Sequence, residues 1–447
     1  MLSLSIIGFA TILIIVLLLI SGKVTPIIAL VLVPILGAFA AGFGMEAIGD
    51  FFNEGIVDVI EVVIMFIFAI LFFGIMQDAG LFDPLINKMI AISRGNVIAV
   101  SVGSVIIAAI AQLDGSGAST FLITIPALLP LYKRLKMNPY LLLLLIGGSA
   151  SIMNMLPWAG PLGRTASVLG MDVTELWRPL IPIQAIGMVL MIGLAVFLGY
   201  MEKRRITKRY GQIELAATAE AVFDDEPAVE DTSAADKDVS LARPKLLWIN
   251  VILAIAVIGV LVWGIIPAGF AFMIGVSIAL PLNYPNVNDQ IARIRAHAPN
   301  ALMMATIILA AGSFLGILSG TGMLDSIAKD IVKVLPAIVA PYLHLIIGFF
   351  GVPFDLLLST DAYYFALLPV VDQIATGFEI GSLSTAYAMI IGNIVGTFVS
   401  PFSPALWLAL GLAGLEMGRH IRYSLVWMWG LSIVLLIIAL IVGVIAI

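Results

Sequence analysis

Apolar runs of about 18 or more residues recur along the whole chain, each long enough to cross roughly 30 Å of hydrocarbon as a helix. This pattern predicts an all-α polytopic membrane protein. The first run, Leu2 to Ile20, has no basic residue before it and no small-residue cleavage pattern after it, so it reads as a retained span rather than a signal peptide. One stretch interrupts the pattern for long enough to be a loop. It opens at Glu202 with Lys203, Arg204, Arg205, Lys208 and Arg209, then turns acidic and Ala-rich around Asp224, Asp225, Glu226, Glu230 and Asp231. Basic residues beside a span mark the cytoplasmic side, and the acidic middle reads as a flexible linker. The expected organisation is a first half over 1–201, a cytoplasmic linker over 202–244 and a second half over 245–447.

The other basic clusters should then also be cytoplasmic: Arg94, Lys133 with Arg134 and Lys136, Arg243 with Lys245, Arg293 with Arg295, and Arg419 with Arg422. Up-and-down counting conflicts with this, because Arg94 and Lys133 flank a single apolar stretch. A re-entrant hairpin over 97–132, entering and leaving on one side, removes the conflict. Its centre is polar, with Gln112, Asp114, Gly115, Ser116, Gly117, Ser119 and Thr120. Non-helical backbone at membrane depth is tolerable only where it packs in protein or lines a wet cavity, which makes this centre a site candidate.

The second half echoes the first. Phe72, Gly74, Ile75, Gly80 and Asp83 match Phe314, Gly316, Ile317, Gly322 and Asp325, every pair 242 positions apart (316 minus 74). Ser119-Thr120 followed by Ala127-Leu128-Leu129-Pro130 is echoed by Ser359-Thr360 followed by Ala366-Leu367-Leu368-Pro369, and Pro157 with Pro161 by Pro401 with Pro404. A second hairpin is expected over 338–373, and broken helices over 139–169 and 381–416. Each half then holds about five spans, an odd number, so the second half sits upside down relative to the first, an architecture of many secondary transporters.

Composition sharpens the class without changing it. Hydrophobic residues make up 62% and charged residues 11% of the 447, and the mean hydropathy is +1.15, so the chain cannot hide its apolar surface inside itself. The net charge is -6, and the acidic middle of the linker, 211–240, alone holds nine Asp and Glu against one Lys. Cysteine is absent, which excludes disulfides, thiolate metal sites and thiol catalysis. There is no Gly-rich phosphate loop, no HExxH and no basic stripe for nucleic acid.

The hairpin tips, Leu113 to Thr120 and Phe354 to Asp361, bring Asp114, Asp355 and Asp361 into apolar surroundings. An ionisable side chain there costs ~2.5 to 3.5 kcal/mol on insertion scales and is by default a functional candidate. Near the breaks, proline removes a backbone donor and clashes with the preceding turn, so Pro157 with Pro161 and Pro401 with Pro404 should each divide a span. Half-helix N-termini suit carboxylates and unwound carbonyls suit cations. Ser151, Asn154, Asn393, Thr397, Ser400 and Ser403 lie beside these breaks, although small and hydroxyl residues also serve close helix packing in lipid. Arg164 is the one basic residue within either broken helix. Its guanidinium can grip a carboxylate with two parallel hydrogen bonds, or else snorkel toward the outer interface. His297 and His420, beside arginines, read as cytoplasmic rim residues, and His344 as a packed neutral imidazole.

The segments FAILFFGIMQDAGLFDP, AQLDGSGASTFLITIPALLPLYKRL and SIMNMLPWAGPLGRTAS, with STDAYYFALLPV and more weakly VSPFSPALWLA, resemble the CitMHS family of bacterial symporters for citrate complexed with divalent metal, within the wider ion transporter superfamily. The resemblance spans nearly the whole chain outside the linker. It implies proton-coupled uptake of citrate with Mg²⁺ or Ca²⁺ as part of the transported complex, no permanently bound cofactor, a location in the bacterial inner membrane and a homodimer. It assigns substrate contacts to Ser116, Ser119, Thr120, Asn154, Arg164, Ser359, Thr360, Thr397 and Ser403. Candidates for the coupling ion or the metal are Asp114, Ser151, Asp355, Asp361 and Asn393. Complexing with metal lowers the charge to be desolvated, which fits a site that offers only Arg164. Sodium bound by unwound carbonyls is the alternative coupling ion, with a di- or tricarboxylate as substrate. An anion channel fits less well, because two hairpins imply access from two sides, and an enzyme would need a nucleophile with a base or a clustered metal site.

Overall fold

The structure, a computed structural model, describes residues 4–21, 23–84, 96–210, 241–334, 336 and 339–446. Arg94, residues 211–240 of the linker and residues 337–338 at the start of the second hairpin lie outside the described residues. Among the described residues all regular structure is helical. The first half holds α1 (Leu4–Ser21), α2 (Pro26–Ala40), α3 (Met45–Asp78), α4 (Val97–Ala111), α5 (Gly117–Arg134), α6 (Pro139–Met153), α7 (Gly160–Leu169), α8 (Val173–Trp177) and α9 (Leu180–Tyr210). The second holds α10 (Leu247–Trp263), α11 (Ala268–Asn283), α12 (Val287–Gly320), α13 (Met323–Val334), α14 (Leu343–Phe349), α15 (Gly351–Phe354), a π-helical turn (Ala362–Leu367), α16 (Leu368–Thr376), α17 (Ser382–Ile394), α18 (Pro404–Ala413) and α19 (Met417–Ile441). Among the described residues six helices, α3 and α12 included, are long and apolar enough to cross a membrane. Trp248, Ile252 and Ile255 on α10 point outward, which lipid tolerates and water does not.

Local chemistry sets the ends of these elements. Asn96 caps α4 by accepting from the Ile98 and Ala99 amides, and Asn138 caps α6, whose first residue is Pro139. Both interrupted regions follow one plan. Helix α6 stops at Met153 and α7 resumes with Pro161 in its first turn; α17 stops at Ile394 and α18 resumes with Pro404 in its first turn. Helices α7 and α18 then end on glycines in the left-handed region, Gly170 at φ 60° and Gly414 at φ 66°.

The scaffold is the crossing of α3 and α12, the two 34-residue helices. They approach so closely that a Cβ on Gly55 would lie 2.1 Å from Gly312 O, and one on Gly316 would lie 2.1 Å from Phe51 O. Gly312, Gly316 and Gly320 form a small-residue stripe at four-residue spacing, which lets two backbones meet without intervening side chains. The other end of the crossing is polar: Asp78 lies 2.8 Å from His297 Nε2 and 3.2 Å from Arg293 Nη1. His297 is thus hydrogen-bonded to Asp78 and packed over Gly74. The two ends occupy matching positions. Gly74 against His297 and Gly316 against Gly55 are the same pair of contacts with the helices exchanged, each residue moved by 242 positions (297 minus 55).

Replacing Gly55 or Gly312 by valine should therefore force α3 and α12 apart and destabilise the fold by about 1–3 kcal/mol or more. Gly411→Ala, where a Cβ meets open space, should leave the unfolding temperature in detergent unchanged. Equal melting of all three variants would contradict the crossing.

Candidate functional site

Helices α4 and α5 form a hairpin whose tip is a 3-10 turn, Gln112–Asp114, closed by Gly115 in the left-handed region at φ 74°. A side chain at Gly115 would be strained there and would also meet Trp158 O at 3.0 Å, so glycine is required twice over. Ser116 caps α5, accepting from the Ser119 amide. Asp114 accepts from the Ser116 amide at 2.8 Å and from the Ser119 hydroxyl. Gln112 is held at both ends, donating to Asn154 Oδ1 at 2.8 Å and accepting from Thr120 Oγ1 at 2.6 Å. Trp158 Nε1 ties the first break to the tip through Leu113 O at 2.8 Å, and its ring stacks on Phe73 of the scaffold with centroids 4.8 Å apart. Asp114, Ser116, Ser119, Thr120 and Asn154 are therefore assembled in one place. The Ser151 hydroxyl is buried near them with no protein partner.

The second tip runs from Asp355 to Thr360 between α15 and the π-helical turn. Ser359 Oγ accepts from the Ala362 amide at 3.2 Å. Through this capping bond Ser359 matches Ser116, 243 positions earlier (359 minus 116), and not Ser119 as the Ser-Thr echo in the sequence suggests. In the same register Gly392 packs on Gly348 O where Ser149 Oγ donates to Val105 O at 2.7 Å. Ser400 Oγ donates to Asp355 O at 2.6 Å, tying the second break to the second tip as Trp158 does in the first. Asn393 donates to Gly351 O at 3.2 Å, and Thr397 returns its hydroxyl to Ile394 O. The hydroxyls of Thr360 and Ser403 have no protein partner among the described residues.

Contacts between the halves close the assembly. Arg164 on α7 donates through Nε to Asp361 Oδ1 at 2.7 Å, with only 12% and 14% of the two side chains exposed. Gly160 leaves room for the guanidinium, since a Cβ there would lie 2.3 Å from Nη1. Arg164 therefore points inward and does not snorkel. On the other side Phe121 of α5 meets Phe398 of the second break edge-on at 5.0 Å, and Gly117 makes room for the same ring. His420 is buried rather than at a rim, with Nε2 3.0 Å from Phe398 O, so it fixes the second break. His344 is packed, with Nε2 3.2 Å from Ala446 O. Among the described residues, no three His, Asp or Glu side chains are gathered to hold a metal ion.

The first tip thus meets both breaks through Trp158 and Phe398, the second meets both through Ser400 and Arg164, and the Arg164–Asp361 ion pair bridges the halves. The citrate transporter family model matches residues 6–392. This chain belongs to that family. It is 38% identical over 99% of its length to a citrate transporter of Bacillus subtilis, covering 100% of that protein. It is also 38% identical to the Mg(2+)/citrate complex secondary transporter of the same organism, covering 99% of each chain. Among solved structures it resembles the YdaH transporter of Alcanivorax borkumensis, at 15% identity with a TM-score of 0.54 over 89% of this chain and 88% of that one. That likeness concerns the fold.

Membership of the citrate transporter family makes this a multi-span transport protein and not an enzyme. Two features of the site carry weight that the sequence did not assign them. Gln112 stands in the polar centre of the first hairpin, and its position 243 residues before Asp355 (355 minus 112) was the available signal. Trp158 looked like an ordinary apolar residue, and nothing local reveals its bond to Leu113 O.

Arg164→Met alone should cost about 3 kcal/mol, because it leaves the Asp361 carboxylate buried without its partner. Adding Asp361→Leu should recover much of that loss. A denaturant-unfolding cycle in detergent checks this, and strictly additive effects would show that the two residues do not interact.

Proposed function

We propose that this chain imports citrate as a complex with a divalent cation, Mg²⁺ or Ca²⁺, by proton-coupled alternating access. The observation that carries the reading is the Arg164–Asp361 pair. An ion pair is the resting complement of a ligand that brings both charges: a citrate carboxylate can take the guanidinium in two parallel hydrogen bonds while the metal takes the carboxylate. A bare tricarboxylate would meet a single guanidinium and the repelling Asp361. The metal complex lowers the charge to be desolvated. The Mg(2+)/citrate transport named for one relative supports the same substrate class.

The remaining contacts fall to groups around this pair. The free hydroxyls of Thr360 and Ser403 and the capped tips at Ser116, Ser119, Thr120 and Ser359 supply neutral donors and acceptors. Asn154 orients the first tip through Gln112. Thr397 stands beside the second break. Ser151, Asn393 and Asp114 line the rear of the two tips. In this reading the repeats are inverted, a reading supported by the paired contacts at constant offset. The chain sits in the bacterial inner membrane, with the linker in the cytoplasm, and works as a homodimer. Transport exposes the tips and breaks first to one side and then to the other as the hairpin-bearing part moves against the crossed α3 and α12.

Purified protein in sealed vesicles should accumulate labelled citrate only when Mg²⁺ or Ca²⁺ is present and a proton gradient is directed inward. Asp361→Asn should reduce the advantage of the metal complex over free citrate at least tenfold. Equal uptake of free and complexed citrate by the wild type would contradict the metal-complex reading, and accumulation under a sodium gradient alone would contradict proton coupling.

A further inference from the structure

Asp355 is 1% exposed, and among the described residues neither carboxylate oxygen has a well-formed hydrogen bond. The other carboxylates of the site differ in this. Asp114 is held by the Ser116 amide and the Ser119 hydroxyl, and Asp361 by Arg164. The side-chain amide of Asn393 donates to Gly351 O at 3.2 Å and stands near enough to Asp355 to act on it as a donor as well. The carboxylate lies over the unwound second break, where a Cβ on Gly396 would come 2.4 Å from Oδ2, so the absence of a side chain at Gly396 makes the space.

At the matching position of the first tip the chain carries Gln112, a neutral amide bonded at both ends. The two tips therefore place a satisfied neutral group and an unsatisfied ionisable one at equivalent points. An isolated ionised carboxylate in such a place is strongly disfavoured, and a bound proton is the simplest remedy, requiring no further ligands. A metal ion would need several oxygens converging on it. The titratable groups facing Asp355 are Tyr363 and Tyr364 from the π-helical turn. From the broken helix it is faced by Asn393 and Gly396, which carry no charge, and His420 of α19 is bonded to Phe398 O instead. The Tyr364 hydroxyl, buried and unpartnered, lies within electrostatic reach of both Asp355 and Arg164.

We infer that Asp355 is the residue that carries the coupling proton, held on its carboxyl group in the arrangement described here and exchanged when the second tip separates from the second break. The inference rests on the reading of this chain as a proton-driven carrier. Its step is a simple protonation: a carboxylate oxygen takes a proton from water on one side and returns it to water on the other. Tyr364, whose hydroxyl is buried and has no hydrogen-bond partner among the described residues, is a positioning residue for this carboxyl group.

The test is infrared difference spectroscopy of the full chain in vesicles, together with proton uptake per citrate read by a pH dye at low buffering. The wild type should show a carboxylic C=O stretch at neutral pH that is absent from Asp355→Asn and retained in Asp114→Asn. Asp355→Asn should lower proton uptake per citrate at least tenfold, Asp355→Glu should restore part of it, and Tyr364→Phe should lower it with the infrared band intact. Persistence of the band in Asp355→Asn would overturn the assignment, as would undiminished proton uptake in that variant. If the wild type moves no citrate but the band still vanishes in Asp355→Asn, the proton site stands and the substrate reading fails. Sodium-driven uptake with no such band in the wild type would overturn the proton site itself.

Discussion

A helix broken at membrane depth leaves backbone groups with no water to receive them, and each unsatisfied group costs several kcal/mol. The rest of this structure depends on how that cost is met. Trp158 donates to Leu113 O, Ser400 to Asp355 O, Asn393 to Gly351 O and Ser149 to Val105 O, while His420 is bonded to Phe398 O. The bonds of Trp158, Ser400, Asn393 and His420 each join a break to the element packed on it, and Ser149 joins α6 to α4 just before the first break. The interruptions that create the half-helix ends are thus also the points at which hairpins and broken helices are fastened together. Pro161 and Pro404 place the restarts where a missing N–H costs nothing, in the first turn of a helix.

The two halves use one plan with different chemistry. The scaffold crossing is glycine on backbone at one end and Asp78 with Arg293 and His297 at the other. Neutral Gln112 in one tip stands at the position equivalent to that of Asp355 in the other. A repeat that folded with strict symmetry would present two equal tips and no directionality, whereas here the first tip is fully hydrogen-bonded and the second keeps an unpaired acid. Arg164 from the first half and Asp361 from the second then join the halves through an ion pair at 2.7 Å.

Much of this was legible in the sequence because lipid makes strong demands. Apolar runs, the 242-residue echo, paired prolines and carboxylates in apolar surroundings are all visible in one dimension, and they named Asp114, Arg164, Asp355 and Asp361. Pairings across long separations were not visible. Nothing near Arg164 reveals Asp361, 197 residues away, and so its side chain could be read as inward or as snorkelling. His420 looked like a rim residue because Arg419 precedes it and Arg422 follows, yet its own side chain faces inward on α19. The Ser-Thr echo gave a register of 240, whereas the capping bonds of Ser116 and Ser359 set it at 243 (359 minus 116), in agreement with the Pro161–Pro404 echo. Short-range pattern identifies the elements and the residues under constraint, while hydrogen-bond geometry decides which of them meet.

The central claim is that the Arg164–Asp361 pair is the resting form of a site for a metal-anion complex. The most direct measurement is an experimental structure of the protein in lipid with magnesium citrate bound. The account predicts that the pair opens, with a citrate carboxylate on the Arg164 guanidinium and the metal on the Asp361 side. An intact pair with citrate bound elsewhere would contradict it.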